Sequence, residues 1–352
     1  MTCRQLDYKT LIYFHLFLLT SLVGCIIKPK ESTKWSEETH MMSYDSISVY
    51  PYLFQGNFFL KNESLVMIDP MNAGEISVLD LNTSQMMHYS MSDSLQGINH
   101  ALFPVSFYHF NSGKYYCYLF EYDNIKLYSQ NLRFRGNTIN RAVQLNENIY
   151  LTLGFFSKLL GLYNNKVKRM EYYGHYPFSV QIPSERKAKN QIAQSFQGEI
   201  AYSEEHSRIV YCSRNFAYMS CYRFVKNKLI FDWQQNIIAL PQVSIVKGNI
   251  KYDRISPSGG FTNVITSGDY IFACYEQSDS TDPVSNTYNI LVYDINGNHI
   301  TTYDVDHPLL AIAVNLEEKA IYGIMRKDDT VGFAPFINVI VRFRFENVSI
   351  QK

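Results

Sequence analysis

Residues 270–303 read YIFACYEQSDSTDPVSNTYNILVYDINGNHITTY and contain three apolar runs separated by polar connections. The runs are 270–275, 289–294 and 299–303, and they are rich in Tyr, Phe, Val and Ile, which suit a pleated, half-buried surface. Between the second and third runs, Asn296-Gly297 supplies residues that tolerate the positive φ of a hairpin turn. The stretch therefore predicts antiparallel strands joined by hairpins.

The same layout of runs and turns occurs five more times along the chain. Repeats of roughly 40–50 residues with four short strands each are typical of a β-propeller. The sequence thus predicts an all-β, six-bladed β-propeller of four-stranded antiparallel blades, and a pair of β-sandwiches is the alternative. Two connections between runs are unusually long, 174–194 and 234–260. The other copies have runs at 65–69, 76–81 and 86–90; 115–121 and 125–129; 149–155, 159–163 and 167–173; 208–213, 218–224 and 229–233; and 320–325 and 339–345.

The last copy reaches Phe345 with too few residues left for a fourth strand. An open blade edge leaves backbone donors and acceptors unpaired, so a propeller ring has to close. We expect the segment 45–50 to supply the missing edge strand. The predicted propeller domain then covers 44–352.

The N-terminal residues carry a separate signal. Arg4 and Lys9 precede an apolar stretch, 11–23, which ends in Leu22-Val23-Gly24-Cys25. This stretch is shorter than the roughly 20 residues that a membrane-spanning helix needs. It predicts a lipoprotein signal peptide at 1–24, a Cys25 that carries acyl chains such as palmitate, and a polar tether at 25–43. The alternative is an uncleaved signal anchor.

Composition limits the classes of partner. The chain has 32 basic and 32 acidic residues and a formal net charge of zero, which argues against nucleic-acid binding. Beyond Cys25 the cysteines are Cys117, Cys212, Cys221 and Cys274, and their spacing does not predict a zinc site. Cys212 and Cys221 flank a predicted turn, so they either form a disulfide or remain buried thiols.

The third copy carries the most specific pattern in the chain: Arg141-Ala142, then IYLTLGFF at 149–156, Gly161-Leu162-Tyr163, and YYGHYP at 172–177. In these residues the chain resembles the TolB-like six-bladed propeller lipoproteins of unknown function that certain Gram-negative anaerobes export. It departs from their pattern where Leu153 separates Thr152 from Gly154, where Leu160 replaces Arg, and where His175 replaces Glu. The resemblance implies a six-bladed propeller anchored by lipid to the outer membrane of a Gram-negative cell envelope, without implying an activity.

The same copy supplies the candidate ligand-binding residues Arg141, Tyr173, His175 and Tyr176. An arginine can hold a carboxylate or phosphate through two hydrogen bonds, and tyrosine rings can stack on a sugar or peptide. The alternative is that Arg141 and the tyrosines only pack between blades.

A catalytic reading rests on carboxylates at or near strand ends. Asp69, Glu121, Asp123 and Glu276 could converge near the ring axis as calcium ligands, as in some propeller lactonases, or could be solvated turn residues. The sequence shows no nucleophile elbow and no phosphate-binding loop. We therefore predict a monomeric, lipid-anchored, noncatalytic binding protein without cofactor or metal, for a protein, peptide or glycan. The alternative is a metal-dependent hydrolase or lactonase with a calcium-type site on the axis.

Overall fold

The computed structural model describes residues 39–50, 57–61, 63–69, 75–90, 108–110, 114–116, 139–177, 186–247, 249–253, 258–279, 282–328 and 336–345. These residues form strands and one helix, α1 (Arg186–Ser195). The strands are β1 (Thr39–Met41), β2 (Tyr44–Tyr50), β3 (Asn57–Lys61), β4 (Ser64–Asp69), β5 (Glu75–Asp80), β6 (Met86–Ser90), β7 (Tyr108–Phe110), β8 (Lys114–Tyr116), β9 (Ile139–Asn146), β10 (Ile149–Gly154), β11 (Leu160–Asn164), β12 (Arg169–Tyr173), β13 (Gly198–Ser203), β14 (Arg208–Ser213), β15 (Tyr218–Val225), β16 (Lys228–Asn236), β17 (Val243–Val246), β18 (Asn249–Tyr252), β19 (Ser258–Ser267), β20 (Tyr270–Asp279), β21 (Asp282–Asp294), β22 (His299–Val305), β23 (Leu309–Asn315), β24 (Ala320–Asp328) and β25 (Phe336–Arg344).

Five antiparallel sheets are arranged as the blades of a propeller. Four of them follow the chain as β3–β6, β9–β12, β13–β16 and β19–β22, and the fifth contains β23–β25. The first strand of each blade is its innermost strand, because β23 contacts both β3 and β19, and β13 contacts both β19 and β9. The propeller fold predicted from the repeats is confirmed, and the alternative of two sandwiches is wrong.

The number of four-stranded blades among the described residues is five rather than the predicted six. The second predicted copy, 115–129, falls mostly outside the described residues. From that part of the chain the structure describes only the hairpin of β7 and β8, in which Tyr108 pairs with Tyr116. Strand β7 contacts β9, the innermost strand of the next blade.

The ring closes through the N-terminal strand, as predicted. Strand β2 pairs antiparallel with β25, from Tyr44 opposite Phe343 to Tyr50 opposite Asn338, and becomes the fourth strand of the last blade. The preceding strand β1 pairs in parallel with β22 of the neighbouring blade. The end of the predicted tether, 39–43, therefore lies against the ring, where Met42 is buried. One short segment thus joins two adjacent blades.

Packing between blades explains why the apolar runs are contiguous. In β20, residues 271–275 are all buried because both faces of the sheet are covered. Phe272 and Cys274 pack into the cluster shared with the last blade, whereas Ala273 and Tyr275 pack into the cluster shared with the β13–β16 blade. Successive side chains of β20 therefore point to opposite faces of the sheet, as in any strand, but here each face packs apolar residues against a neighbouring blade.

In the β20–β22 region the predicted Asn296-Gly297 turn is confirmed, whereas the polar connection before β21 is more regular than predicted. Gly297 has a φ of 82°, and the Asp294 carboxylate accepts hydrogen bonds from the backbone N–H groups of Asn296 and Asn298 at 2.9 and 2.7 Å. The polar connection between the runs 270–275 and 289–294 lies largely within the pairing of β20 with β21, which continues out to Asp279 and Asp282.

The two long connections contain structure that the sequence did not predict. Helix α1 lies between β12 and β13, and the hairpin of β17 and β18 lies between β16 and β19. The helix was missed because its buried stripe is short, consisting of Ala188, Ile192 and Ala193. No helix in the described ranges is both long and apolar enough to cross a membrane.

Candidate functional site

The innermost strands β9, β13, β19 and β23 all begin on one side of the ring, which we call the upper face. The same face carries the connections between successive blades and the turns that join the second and third strands of a blade, because strands within a blade alternate in direction. Both α1 and the β17–β18 hairpin are connections of this kind. The upper face is therefore the side of the ring with the added structure.

Three segments of the upper face assemble above the β13–β16 blade. They are α1, the turn 214–217 between β14 and β15, and the β17–β18 hairpin, and together we call them the cap. Tyr252 of the hairpin donates a hydrogen bond from its hydroxyl to Ser195 Oγ at 2.8 Å, and the backbone N–H of Ile250 donates to Gln191 Oε1 at 3.0 Å. The hairpin is thus fixed to the helix.

The turn is held to the other two segments of the cap by packing and by one amide. The centroid of the Phe216 ring lies 4.8 Å from that of Phe196, which directly follows α1, and 5.6 Å from that of Tyr252. Asn215 Nδ2 donates a hydrogen bond to the carbonyl of Ser195 at 3.0 Å. Aromatic contacts and backbone-directed hydrogen bonds of this kind make the cap a defined surface.

A charged cluster lies at the edge of the cap and joins Arg214 of the cap to the first residues of two innermost strands. Arg141 of β9 and Arg214 of the turn both donate to the same oxygen, Oε1 of Glu199 in β13, at 2.7 and 2.6 Å. The side chain of Glu199 is 7% exposed and that of Arg141 is 17% exposed, whereas that of Arg214 is 54% exposed. The Glu199 carboxylate is thus shared by two guanidinium groups, and Arg214 presents its own guanidinium to solvent.

A neutral pair supports this cluster. Asn140 Nδ2 donates to Gln197 Oε1 at 2.7 Å, and Gln197 Nε2 in turn donates to the carbonyl of Ala193 at 2.6 Å. The backbone N–H of Arg214 donates to the carbonyl of Gln197 at 3.0 Å. The backbone that carries Arg214 is therefore fixed from both the helix and the neighbouring blade.

The structure does not bring Arg141 together with the other predicted ligand-binding residues. Arg141 pairs with Leu153 across β9 and β10, and Tyr173 pairs with Leu160 across β11 and β12. The two residues lie on the innermost and outermost strands of one blade, so their backbones are about 14 Å apart at a strand spacing of about 4.8 Å. The binding role of the four residues stays a prediction, and Arg141 is the member within the charged cluster.

The three residues of the outer strand and its exit have separate environments. The Tyr173 hydroxyl donates to Glu171 Oε2 at 2.9 Å, and burial together with this hydrogen bond raises the pKa of Tyr173 to about 12. Tyr176 is buried and donates to the carbonyls of Phe156 and Lys158, both at 3.0 Å. His175 is exposed. Tyr176 thus fixes the loop after β10.

Part of the pattern in the third copy has a packing role. Thr152 Oγ1 donates to the carbonyl of Gly161 at 3.0 Å, and both residues are buried. A Cβ on residue 161 would lie 2.5 Å from Thr152 Oγ1 and 2.9 Å from Phe156 Cε2. The close approach of β10 and β11 therefore requires glycine at this position.

The carboxylates considered as calcium ligands are only partly described. Glu276 of β20 is half-buried, and burial raises its pKa while the charge of Arg326 lowers it. Asp69 ends β4, and Glu121 and Asp123 lie outside the described residues. Within the described ranges, no group of three or more His, Cys, Asp or Glu side chains is placed to hold a metal ion.

The possible disulfide is not formed. Cys212 and Cys221 are free, buried thiols. Cys212 lies opposite Met219 and Cys221 lies opposite Val210, so the two cysteines are diagonal neighbours across β14 and β15. Diagonal positions are about 7–8 Å apart, beyond the usual span of a disulfide. Burial raises the pKa of Cys221 to about 12, which keeps this thiol protonated at neutral pH.

Sequence analysis identified Arg141 but missed Glu199, Arg214 and the cap. The only available signal was the length of the two connections, 174–194 and 234–260. A charged residue at the start of a strand gives no indication of its partner on the neighbouring blade, which here lies 58 residues away in the chain.

Comparisons with known proteins support the fold. No family model matches the chain, and no curated protein matches it in sequence. A solved structure of a DUF4221 family member from Bacteroides vulgatus is similar with a TM-score of 0.51 and 10% identity, over 88% of this chain and 100% of that one. A Bacteroides fragilis protein named as exported gives a TM-score of 0.46 and 10% identity, over 90% and 98% of the two chains. A calcium-binding regucalcin from Agrobacterium tumefaciens gives 0.44 and 9% identity, over 88% and 98%. At these identities the likeness to the first structure supports the fold alone: the chain is an all-β propeller with four-stranded antiparallel blades.

Proposed function

We propose that this protein is a noncatalytic binding protein that holds a protein, peptide or glycan ligand on its upper face. The observation that carries the proposal is the position of Arg214. Its guanidinium is 54% exposed, is held at 2.6 Å from the buried carboxylate of Glu199, and stands on a turn that is part of the cap. A fixed, solvent-facing charge on a rigid scaffold is a feature of binding sites.

The geometry of Arg214 suits recognition of an anionic group. Its bond to Glu199 uses Nη2. A guanidinium has five N–H donors in a planar fork, so one bond to Glu199 leaves an edge that can hold a ligand carboxylate through two hydrogen bonds. Because Glu199 already fixes the side chain, binding costs less conformational entropy than it would for a mobile arginine.

The location forms a second part of the proposal. Residues 1–24 act as a signal peptide, Cys25 carries the lipid, and a tether leads from Cys25 to strand β1. The protein is then anchored as a monomer to the outer membrane of a Gram-negative cell envelope, in the manner of the TolB-like propeller lipoproteins that it resembles. Strand β1 supports a tether that joins the ring beside the closing strand β2.

We also propose that the ring has six blades. The β7–β8 hairpin would contribute to the sixth, because β7 contacts β9 as the innermost strands of neighbouring blades contact one another elsewhere in the ring. A six-bladed ring agrees with the six repeats in the sequence.

The test of ligand binding uses glycan and peptide arrays probed with the chain carrying Cys25→Ala, which removes the lipid. We expect specific spots whose signal falls at least tenfold in Arg214→Ala. Arg169→Ala is the matched control, because Arg169 is also an exposed arginine that contacts one glutamate. It lies at the start of β12, at the end of the β9–β12 blade that is opposite the upper face. A signal that falls equally in both variants, or no specific spot on either array, would refute binding at the upper face.

A further inference from the structure

The cap is basic, although the whole chain has a net charge of zero. Its three segments contain six cationic residues and no Asp or Glu. Three of the six lie in α1, one in the turn, and two in the hairpin. They are Arg186, Lys187, Lys189, Arg214, Lys247 and Lys251.

The segments that carry these residues form one assembled surface. The hydrogen bonds of Gln191 and Ser195 join the helix to the hairpin, and Phe216 packs the turn against Tyr252. Arg214, Lys247 and Lys251 are exposed. Like charges held together on a surface produce a positive potential that attracts polyanions more strongly than single anions.

The cap also presents neutral hydrogen-bonding groups. Asn190 and Gln194 are one turn apart on the exposed side of α1, and Asn215 and Ser244 are exposed on the other two segments. Side-chain amides both donate and accept hydrogen bonds, as sugar hydroxyls do. A surface that combines cations with amides therefore offers partners for both the carboxylates and the hydroxyls of one chain.

We propose that the cap binds an acidic polysaccharide, with Arg214 holding a sugar carboxylate and the lysines of the hairpin contacting further carboxylates along the chain. This inference rests on the proposed binding function of the upper face and names its ligand class. The amides favour a hydroxyl-rich polymer over an anionic lipid surface, whose headgroup phosphates need only the cations.

The experiment measures binding of the Cys25→Ala chain to immobilised polygalacturonate, with dextran as the uncharged polymer. The test variant is Lys247→Glu with Lys251→Glu. The control is Lys226→Glu with Lys228→Glu, which makes the same charge change at two exposed lysines outside the cap, Lys226 in the β15–β16 turn and Lys228 at the start of β16. Lys226 and Lys247 both have positive φ, 49° and 51°, so the backbone context is matched.

We expect binding to polygalacturonate but not to dextran, with affinity falling at least tenfold in the cap variant, less than threefold in the control, and steadily with added salt. Equal losses in the two variants would overturn the inference, because they would indicate attraction by overall charge. Stronger binding to phosphatidylglycerol vesicles or to single-stranded DNA than to polygalacturonate would also overturn it. If Arg214-dependent array binding is seen while polygalacturonate is not bound, the binding function stands and the polysaccharide class is wrong.

Discussion

Asp45 and Arg342 are 297 residues apart in the chain, yet the Arg342 Nη2 and Asp45 Oδ2 atoms lie 3.1 Å apart. This contact spans the seam where β2 joins β25 and closes the ring. The two side chains are 63% and 34% exposed, so the ion pair itself contributes at most about 1 kcal/mol. The stability of the seam must come mainly from the strand pairing and from the buried residues beneath it.

The first prediction concerns this closing strand. Val49 pairs with Val339 and its side chain is 56% exposed, so Val49→Pro disturbs the backbone of β2 with little loss of packing. We expect the melting temperature to fall by at least several degrees, because about 1 kcal/mol corresponds to roughly 2–4 °C at this size. Calorimetry measures the shift. Val49→Thr is the control and should melt within about a degree of the unmodified protein, and a Pro variant as stable as the Thr variant would contradict closure by β2.

The second prediction concerns Glu199. Replacing this buried carboxylate with Gln removes the negative charge that Glu199 places beside Arg141, whose side chain is 17% exposed. Breaking a buried ion pair from one side commonly costs about 3–5 kcal/mol, and partial exposure lowers that figure. We expect Glu199→Gln to reduce the free energy of unfolding in urea by about 1–3 kcal/mol.

Arg214→Ala provides the comparison for Glu199, since its side chain is 54% exposed. Its loss should cost less than about 1 kcal/mol. If Arg214→Ala destabilises the protein as much as Glu199→Gln, the assignment of Arg214 to ligand binding and of Arg141 to support is wrong.

The third prediction concerns Gly161 and Thr152. In Gly161→Ala the added methyl would lie 2.5 Å from Thr152 Oγ1, so we expect a loss of about 1–3 kcal/mol in stability. Removing the hydroxyl in the double variant Gly161→Ala with Thr152→Ala should recover part of that loss. Urea unfolding of the unmodified protein, the two single variants and the double variant measures the coupling free energy between the two positions. Strictly additive effects would show that the added methyl does not clash with the Thr152 hydroxyl.

The fourth prediction concerns alkaline pH. Burial raises the pKa of Tyr222 to about 12, so the folded state favours the neutral phenol over the phenolate. The stability that the neutral Tyr222 phenol contributes is fully present below the pKa of an unfolded tyrosine, near 10, and is lost as pH rises toward about 12. We expect the free energy of unfolding to decline over this window, and to decline less steeply in Tyr222→Phe. Identical pH profiles for the two proteins would exclude Tyr222 as a source of the decline.

The fifth prediction concerns the anchor. Cys25→Ala should move the protein from the membrane fraction to the soluble fraction of the envelope and abolish incorporation of labelled palmitate. The melting temperature of the propeller should not change, because residue 25 precedes the first described strand. Retention in the membrane fraction after the substitution would indicate an uncleaved signal anchor instead.

The fold was largely predictable because its signals are local. The apolar runs and the Asn296-Gly297 turn each depend on residues close together in the chain, and together they predicted the strands and hairpins of the propeller. The boundaries were less predictable. The pairing of β20 with β21 continues to Asp279 and Asp282 through a stretch that reads as polar, because strands that extend past the packed blades no longer need apolar side chains.

The candidate site was predictable only at Arg141. The sequence placed Tyr173 in the last run of the same copy, but not its distance from Arg141, which the order of the strands in the sheet sets. Nor could it exclude a bond between Cys212 and Cys221, because a register that places Met219 opposite Cys212 cannot be read from a predicted turn.

By itself, the sequence determined that this chain forms repeated strands joined by hairpins, because strand and turn preferences depend on neighbouring residues. Only the tertiary structure decided that Arg141 and Arg214 share one carboxylate and that three separate segments form a basic cap. Such contacts depend on which blades become neighbours when the ring closes.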